Sequence, residues 1–401
     1  MMFARFVLAG LWRRWGSTAL TLLIGACGLA GLILILWAQT ALPEAVKARI
    51  SETDMVVGPK ASGLDLSLCC ALHQTPAPGL VSLNSIEARL SEPDLKPYIR
   101  ASVPIALGDS VEGIRIVWTR PDIVGFYHAR LAQGHLWAQP MQMVAGAQAA
   151  KTLNLRLGQT LGSSHGLAGE GEAHAARYTV TGILAPTGGV IDHLLLSDLG
   201  SIAWVHAHGP DADDHDHAEA TDGHHVNAVL VSFTSPVALA AAPALINQSD
   251  TLSAASPQLE LARLLSLVHP VIYFATGLFV AIGAFGALVL TLSLVQALNR
   301  RARDLTLLRF MGATSLDLSL ICLAEALLIV HAALVLGVGL SLLGQSALTH
   351  VLSAYGLSPH PGLPVDQWPW LYGAALLTAC LSALVPALRL ALTRDDEGFR
   401  A

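Results

Sequence analysis

Four long apolar runs, 18–37, 270–298, 316–343 and 368–390, punctuate this chain. Each is long enough to cross a hydrocarbon layer, which takes about 20 residues of helix. None alternates with polar residues in a way that would leave one wet face, so the runs predict helices surrounded by lipid or by one another. Between the first and second run the pattern changes. Residues 41–50 read as a helix continuing off the membrane, and 55–60 as a short strand ended by Gly58-Pro59. Stretches 64–72 and 85–90 read as short helices, and Pro93 closes the second. Residues 101–110 and 113–118 carry β-branched alternation around a Gly108-Asp109 turn, which predicts paired strands. Residues 144–153 pass from strand to helix. Further strands are expected at 178–184, 190–196 and 227–233, and an Ala-rich helix at 236–246. Strands mixed with short helices make the block α+β. The expected architecture is an α+β membrane protein of four transmembrane helices, one before and three after a large mixed domain.

That pattern divides the chain into a tip and first span (1–40), the mixed domain with its stalk helices (41–267), a second span (268–298), a short basic segment (299–315), a third span (316–344), a loop (345–367), a fourth span (368–390) and a tail (391–401). The first run exceeds the 7 to 15 apolar residues of a signal peptide, so a retained helix is expected. Composition agrees with the pattern: 53% of residues are hydrophobic and 13% charged, with a mean hydropathy of +0.55, too apolar for an ordinary soluble protein. Charge adds an orientation. Arg5, Arg13 and Arg14 precede the first span, Arg300, Arg301, Arg303 and Arg309 separate the second and third, and Arg389, Arg394 and Arg400 lie at the end, whereas 345–367 holds no Lys or Arg. The positive-inside rule then places both termini and the basic segment in the cytosol and the large domain outside. The net charge of −6 averages these two sides and points to no nucleic-acid partner.

The basic segment carries the most information. Leu305, Leu308 and Met311 recur at helical spacing with Arg301, Asp304 and Arg309 beside them, so it should lie at the membrane surface with one apolar and one charged face. Gly312 should end it, because a left-handed cap is cheap only for glycine. With Arg301, Arg303, Asp304, Leu308, Arg309, Gly312 and Ala313 in the matching places, the segment resembles the loop of the FtsX/MacB-type permeases, the membrane subunits of a class of ABC transporters, and Leu305 and Met311 join these as candidate ATPase-coupling residues. Asp304 stands where that family more often carries Glu, keeping the charge with a shorter reach. The likeness extends to 56–60, 103–109, 144–159 and 178–184 in the outer domain and to Val385-Pro386-Ala387-Leu388-Arg389-Leu390 at the exit of the last helix. The resemblance implies that the segment docks on a cytosolic ABC ATPase, that two permease subunits pair as a homodimer or related pair in the lipid bilayer, and that an extracytoplasmic soluble or outer-membrane protein joins them, all in the inner membrane.

The chain offers no chemistry of its own. Residues 146–152 superficially resemble a phosphate loop but lack a glycine before Lys151, and no GxxxxGK[ST] pattern occurs elsewhere. ATP would therefore act only through the partner, and no triad or carboxylate pair suggests an enzyme. Glu325 and His331 lie inside the third span, where ionisable groups face protein or water. Polar packing and a substrate or proton path both account for them. Gly277, Gly283, Gly286, Gly337 and Gly339 permit close helix approach, within one subunit or between two.

The most unusual stretch is 206–225, with His206, His208, Asp211, Asp213, Asp214, His215, Asp216, His217, His224 and His225. Imidazoles interleaved with carboxylates suit Zn2+ or another transition metal, and so little apolar side chain predicts a flexible loop. A solvated acidic insertion with incidental histidines is the competing reading. His165, His174 and His193 could add a tighter site to the loop or be ordinary polar residues. Cys27, Cys322 and Cys380 fall in spans as small apolar residues. Cys69 and Cys70 are adjacent, where a ring is strained, so they are expected to be structural or free thiols, with metal ligation as the other reading. Functionally the sequence favours a permease subunit that passes ATP-driven motion to the outer domain. A regulator of cell-wall hydrolases and an ATPase-independent metal-sensing receptor are the alternatives.

Overall fold

The structure is a computed structural model and describes residues 12, 15–50, 52–166, 173–207, 224–300, 311–354, 357 and 359–392. Among these the helices are α1 (Trp15–Ile50), α2 (Gly63–Leu66), α3 (Leu83–Leu90), α4 (Ile123–Phe126), α5 (Ala147–Thr152), α6 (Ser201–Ala207), α7 (Pro236–Ile246), α8 (Pro257–Arg300), α9 (Ser315–Ala354) and α10 (Trp368–Leu392). The strands are β1 (Met55–Pro59), β2 (Val81–Ser82), β3 (Ile99–Val111), β4 (Ile114–Thr119), β5 (Leu131–Gly134), β6 (Gln142–Ala145), β7 (Thr160–His165), β8 (Ala173–Leu184), β9 (Leu195–Asp198), β10 (His225–Val226), β11 (Ala228–Phe233) and β12 (Leu252–Ala255). The chain forms two compact units, Met1–Pro43 with Val268–Ala401, and Glu44–Leu267.

The first unit holds the four long apolar helices, each long and apolar enough to cross a membrane. Leu290 and Leu294 of α8, Ala326, Ile329 and Val330 of α9, and Ala375, Ala379 and Ala383 of α10 share one buried cluster, against which Leu22 and Leu29 of α1 pack. Small residues let α1 approach closely: a methyl added at Gly28 would lie 3.1 Å from the Gly283 nitrogen, and one at Gly337 3.0 Å from Leu29 and 3.1 Å from the Ala26 carbonyl. A methyl at Gly286 would meet Ile24 and Gly25 at an ordinary 3.4–3.6 Å, whereas Gly277 and Gly339 face open space. At one end of the bundle the Trp37 indole donates to the His360 carbonyl, and the Gly362 amide donates to the buried Gln345 side chain, so the 359–367 loop is tied to two helices.

The second unit is built on a ten-stranded sheet in the order β12-β1-β11-β3-β4-β9-β6-β8-β5, with β7 pairing both β3 and β8. Pairings are antiparallel except β4 with β9 and β6 with β8. Because β7 bridges β3 and β8, the circuit β3-β4-β9-β6-β8-β7 closes on itself. Side chains alternate across a strand, and here the alternation separates three cores. Val56, Ile105, Val117, Val144, Leu196 and Leu230 point to one face, under Leu66 of α2 and Ile123 of α4. The other face is divided between Val57, Val229 and Val231, beneath α3 and α7, and Ile116, Trp118, Met143, Tyr178 and Leu195, beneath α5 and α6.

Three expectations need correction. The β3–β4 hairpin does not turn at Gly108-Asp109. The strand continues through both residues, and the turn is Glu112-Gly113, with φ of 48° and 81°, the two left-handed residues of a type I′ turn. Residues 190–196 are not one strand, since Val190–His193 is a 3-10 turn and only Leu195–Asp198 pairs. Cys69 and Cys70, within a π-helical turn at Ser67–Ala71, are joined as a disulfide rather than remaining thiols.

Candidate functional site

The described residues that flank the basic segment are Arg300 in α8 and Met311 before α9. α8 is described as far as Arg300, next to a groove of about 320 Å³ lined by Trp15, Gly16, Ser17, Ser293, Gln296, Ala297 and Arg300. On the far side Gly312 takes φ +96°, the left-handed conformation expected of a helix-ending glycine. Ala313 then leads into a cap in which the Asp317 carboxylate accepts from the Thr314 amide and hydroxyl, at 2.8 and 2.7 Å, while the Asp317 amide donates to the Thr314 hydroxyl. That reciprocal pair satisfies amides that the first turn of α9 leaves open. Met311 is exposed. Arg301, Arg303, Asp304, Leu305, Leu308 and Arg309 lie outside the described residues.

Within α9, Glu325 is buried. His331 is exposed on the bundle's surface. Its Nδ1 lies 2.8 Å from the Leu327 carbonyl and its Nε2 2.9 Å from the Tyr372 hydroxyl of α10. His331 thus ties one helix to the next.

The His/Asp-rich stretch is bounded by regular structure. His206 falls in the last turn of α6, and His225 opens β10, which pairs with Ser82 and Val81 of β2. The His224 carbonyl accepts from the Leu83 amide at 2.7 Å, so the end of the stretch is pinned to β2 and to the first residue of α3. His208, Asp211, Asp213, Asp214, His215, Asp216 and His217 lie outside the described residues.

Two of the three scattered histidines are brought together. His165 closes β7 opposite Asp109 of β3, and His174 stands near the start of β8. His165 Nδ1 lies 3.2 Å and His174 Nε2 3.3 Å from the two oxygens of Asp109, whose side chain is fully buried. The imidazoles meet edge to face with ring centres 4.2 Å apart, and the Ser163 hydroxyl donates to Asp109 Oδ2 at 3.0 Å. Sequence reasoning missed Asp109 because it read Gly108-Asp109 as a turn. His193 is elsewhere, on the 190–193 turn, where burial and the nearby Arg49 lower its pKa against the opposing pull of Asp192.

A third polar cluster is structural. The buried Arg115 guanidinium donates to the carbonyls of Cys69 at 3.1 Å and Thr75 at 2.8 Å, holding that loop over the sheet, and burial lowers its pKa to about 10. His73, buried and at φ 57°, has its pKa driven well below the usual value by burial, then by the charges of Arg115 and Arg49.

Comparison with known proteins fits this layout. Residues 18–249, more than half of the chain, match the MacB-like periplasmic core domain, and residues 272–393 match the FtsX-like permease C-terminal family. Among solved structures, the periplasmic region of MacB from Actinobacillus actinomycetemcomitans is similar at 11% identity, covering 55% of this chain and 95% of that one with a TM-score of 0.34. No curated protein matches.

Proposed function

The chain belongs to the FtsX/MacB-type permease family and is a membrane permease subunit of the ABC type, and from that premise we propose that it carries the motion of a cytosolic ATPase to an extracytoplasmic domain. The observation that supports this most is where the two units join. The boundaries, after Pro43 and after Leu267, both fall inside helices, α1 and α8, rather than in loops. A continuous helix passes displacement along its axis; a flexible linker absorbs it. Each of these helices also carries a proline at or near the boundary, Pro43 and Pro270. Proline removes one i to i−4 hydrogen bond and lets a helix bend there.

In this reading the ATPase grips the segment from Arg301 to Ala313, nucleotide-driven closure tilts the helices, and the outer domain moves through the stalks at 41–50 and 257–268. Both termini are cytosolic and a second permease subunit completes the complex. The family match across 272–393 spans the segment. The test is a charge reversal, Arg301→Glu with Arg309→Glu, in the full chain expressed with its ATPase. The variant should insert at wild-type levels and lose most ATPase on co-purification; undiminished co-purification contradicts the proposal.

A further inference from the structure

We propose that Asp109, His165 and His174 form a binding site for a first-row divalent transition metal, Zn2+ above all, with three protein ligands and a fourth coordination position left to water or to a donor from a second molecule. The inference rests on the outer domain alone and stands whether or not the coupling reading does.

The site is assembled by two irregularities in the sheet. On β3 the register against β4 shifts by one residue between Leu107 and Ser110: Leu107 faces Val117, but Ser110 faces Arg115. Without the shift Asp109 would share the face of Ile105 and Leu107. With it, Asp109 turns to the face of Val111, Trp118 and Tyr178. On β8 the pairing with β7 jumps from Gly162↔Arg177 to Ser164↔Ala173, and the extra residues carry His174. Alternation then places Ser163, His165 and His174 on the side that Asp109 has been turned to. Bulges of this kind re-aim side chains beside functional sites, and two of them converge here.

The chemistry of the three groups selects a cation. Asp109 is fully buried against a floor that includes the hydrogen-bonded pair Trp118 and Tyr178. An ionised carboxylate in such surroundings needs a compensating positive charge. Among the described residues the two imidazoles and the Ser163 hydroxyl face it, and a metal ion held by the carboxylate and the two rings supplies that charge. The spacing suits a metal as well as a hydrogen-bonded trio. Charge-assisted N–H to carboxylate bonds close to about 2.7–2.9 Å, shorter than the 3.2 and 3.3 Å found here. Bonds of about 2.0–2.1 Å to a tetrahedral Zn2+ place neighbouring ligand atoms about 3.3 Å apart. One donor atom from each residue lies within 4.8 Å of the others, so side-chain adjustment toward a common centre would bring all three onto one ion. Two imidazoles and a carboxylate suit Zn2+, Co2+ or Ni2+ rather than Ca2+ or Mg2+. The Ser163 hydroxyl would orient the carboxylate. The His165 side chain is 34% exposed against 7% for His174, so the open position reaches solvent past His165.

The test uses the detergent-solubilised full chain, stripped of metal and titrated with Zn2+ against a chromogenic chelator and with Co2+ by absorption. Because 206–225 is also rich in histidine, the comparison includes a variant with His206, His208, His215, His217, His224 and His225 replaced by Ser. Wild type and that variant should both take up one tight equivalent, give the intense visible absorption of four-coordinate Co2+, and melt higher with Zn2+. His174→Ala should weaken the tight equivalent on the order of 100-fold or more and abolish the Co2+ band, while its metal-free melting shows that it folds. If it fails to fold, His165→Ala, at the exposed edge, gives the same readout. The proposal is overturned if wild type holds no saturable equivalent, if the folded His variants bind as tightly as wild type, or if the tight equivalent disappears with the 206–225 histidines alone.

Discussion

At the scale of single residues, the outer domain places charge where burial is costly and then answers it locally. Arg115 is satisfied by two backbone carbonyls, and His73 answers the same surroundings by staying neutral. This has a pH consequence with a definite sign. The folded pKa of His73 lies below its unfolded value of about 6.5, so its contribution to stability is fully present above that pH and is lost as pH falls from there toward the folded value. His193, lowered for the same first reason, acts in the same direction. Asn tolerates the left-handed backbone at position 73 and does not titrate. The melting temperature of the solubilised chain should therefore fall on acidification from pH 7 to 5, and fall less steeply in His73→Asn. Parallel curves for the two proteins would contradict the assignment.

At the scale of elements, the long helices were legible because twenty or more apolar residues in a row leave a chain one stable option in lipid. The Ala-rich helix Pro236–Ile246 was legible for a local reason: Ser235 caps it, accepting from the Val237 amide, and Pro236 suits its first position. The strands β5 and β7 were not. Leu131–Gly134 and Thr160–His165 carry little apolar patterning and are held by their neighbours in the sheet. Asp109 was hidden by the same limitation, since register shifts arise from pairing that residue order does not display. Among the glycines the sequence pointed to close contacts but not to which face makes them: Gly283, Gly286 and Gly337 meet α1, and Gly277 and Gly339 do not. Gly337→Leu should accordingly drive α1 from α9 and lower the melting temperature of the solubilised chain by several degrees, while Gly339→Leu, in open space, should leave it within a degree or so. Equal effects would show that the contact with Leu29 and Ala26 is not what position 337 provides.

At the scale of the whole molecule, the architecture is that of a membrane permease subunit of the ABC type. Four apolar helices form one unit, a ten-stranded α+β domain forms the other, and helices rather than loops run across both boundaries. The fold class and family could be read from the order of apolar runs and from the basic segment between the second and third helix, and the matches over 18–249 and 272–393 agree with both. The proposed account depends on that basic segment being held by an ATPase on the inner face. The most direct measurement introduces Arg303→Cys into a chain lacking Cys27, Cys69, Cys70, Cys322 and Cys380, and labels it with a membrane-impermeant maleimide in vesicles of either orientation. The account predicts labelling only when the cytosolic face is exposed, and protection from it when the ATPase is bound. Labelling from the opposite face, or labelling indifferent to the bound ATPase, would contradict it.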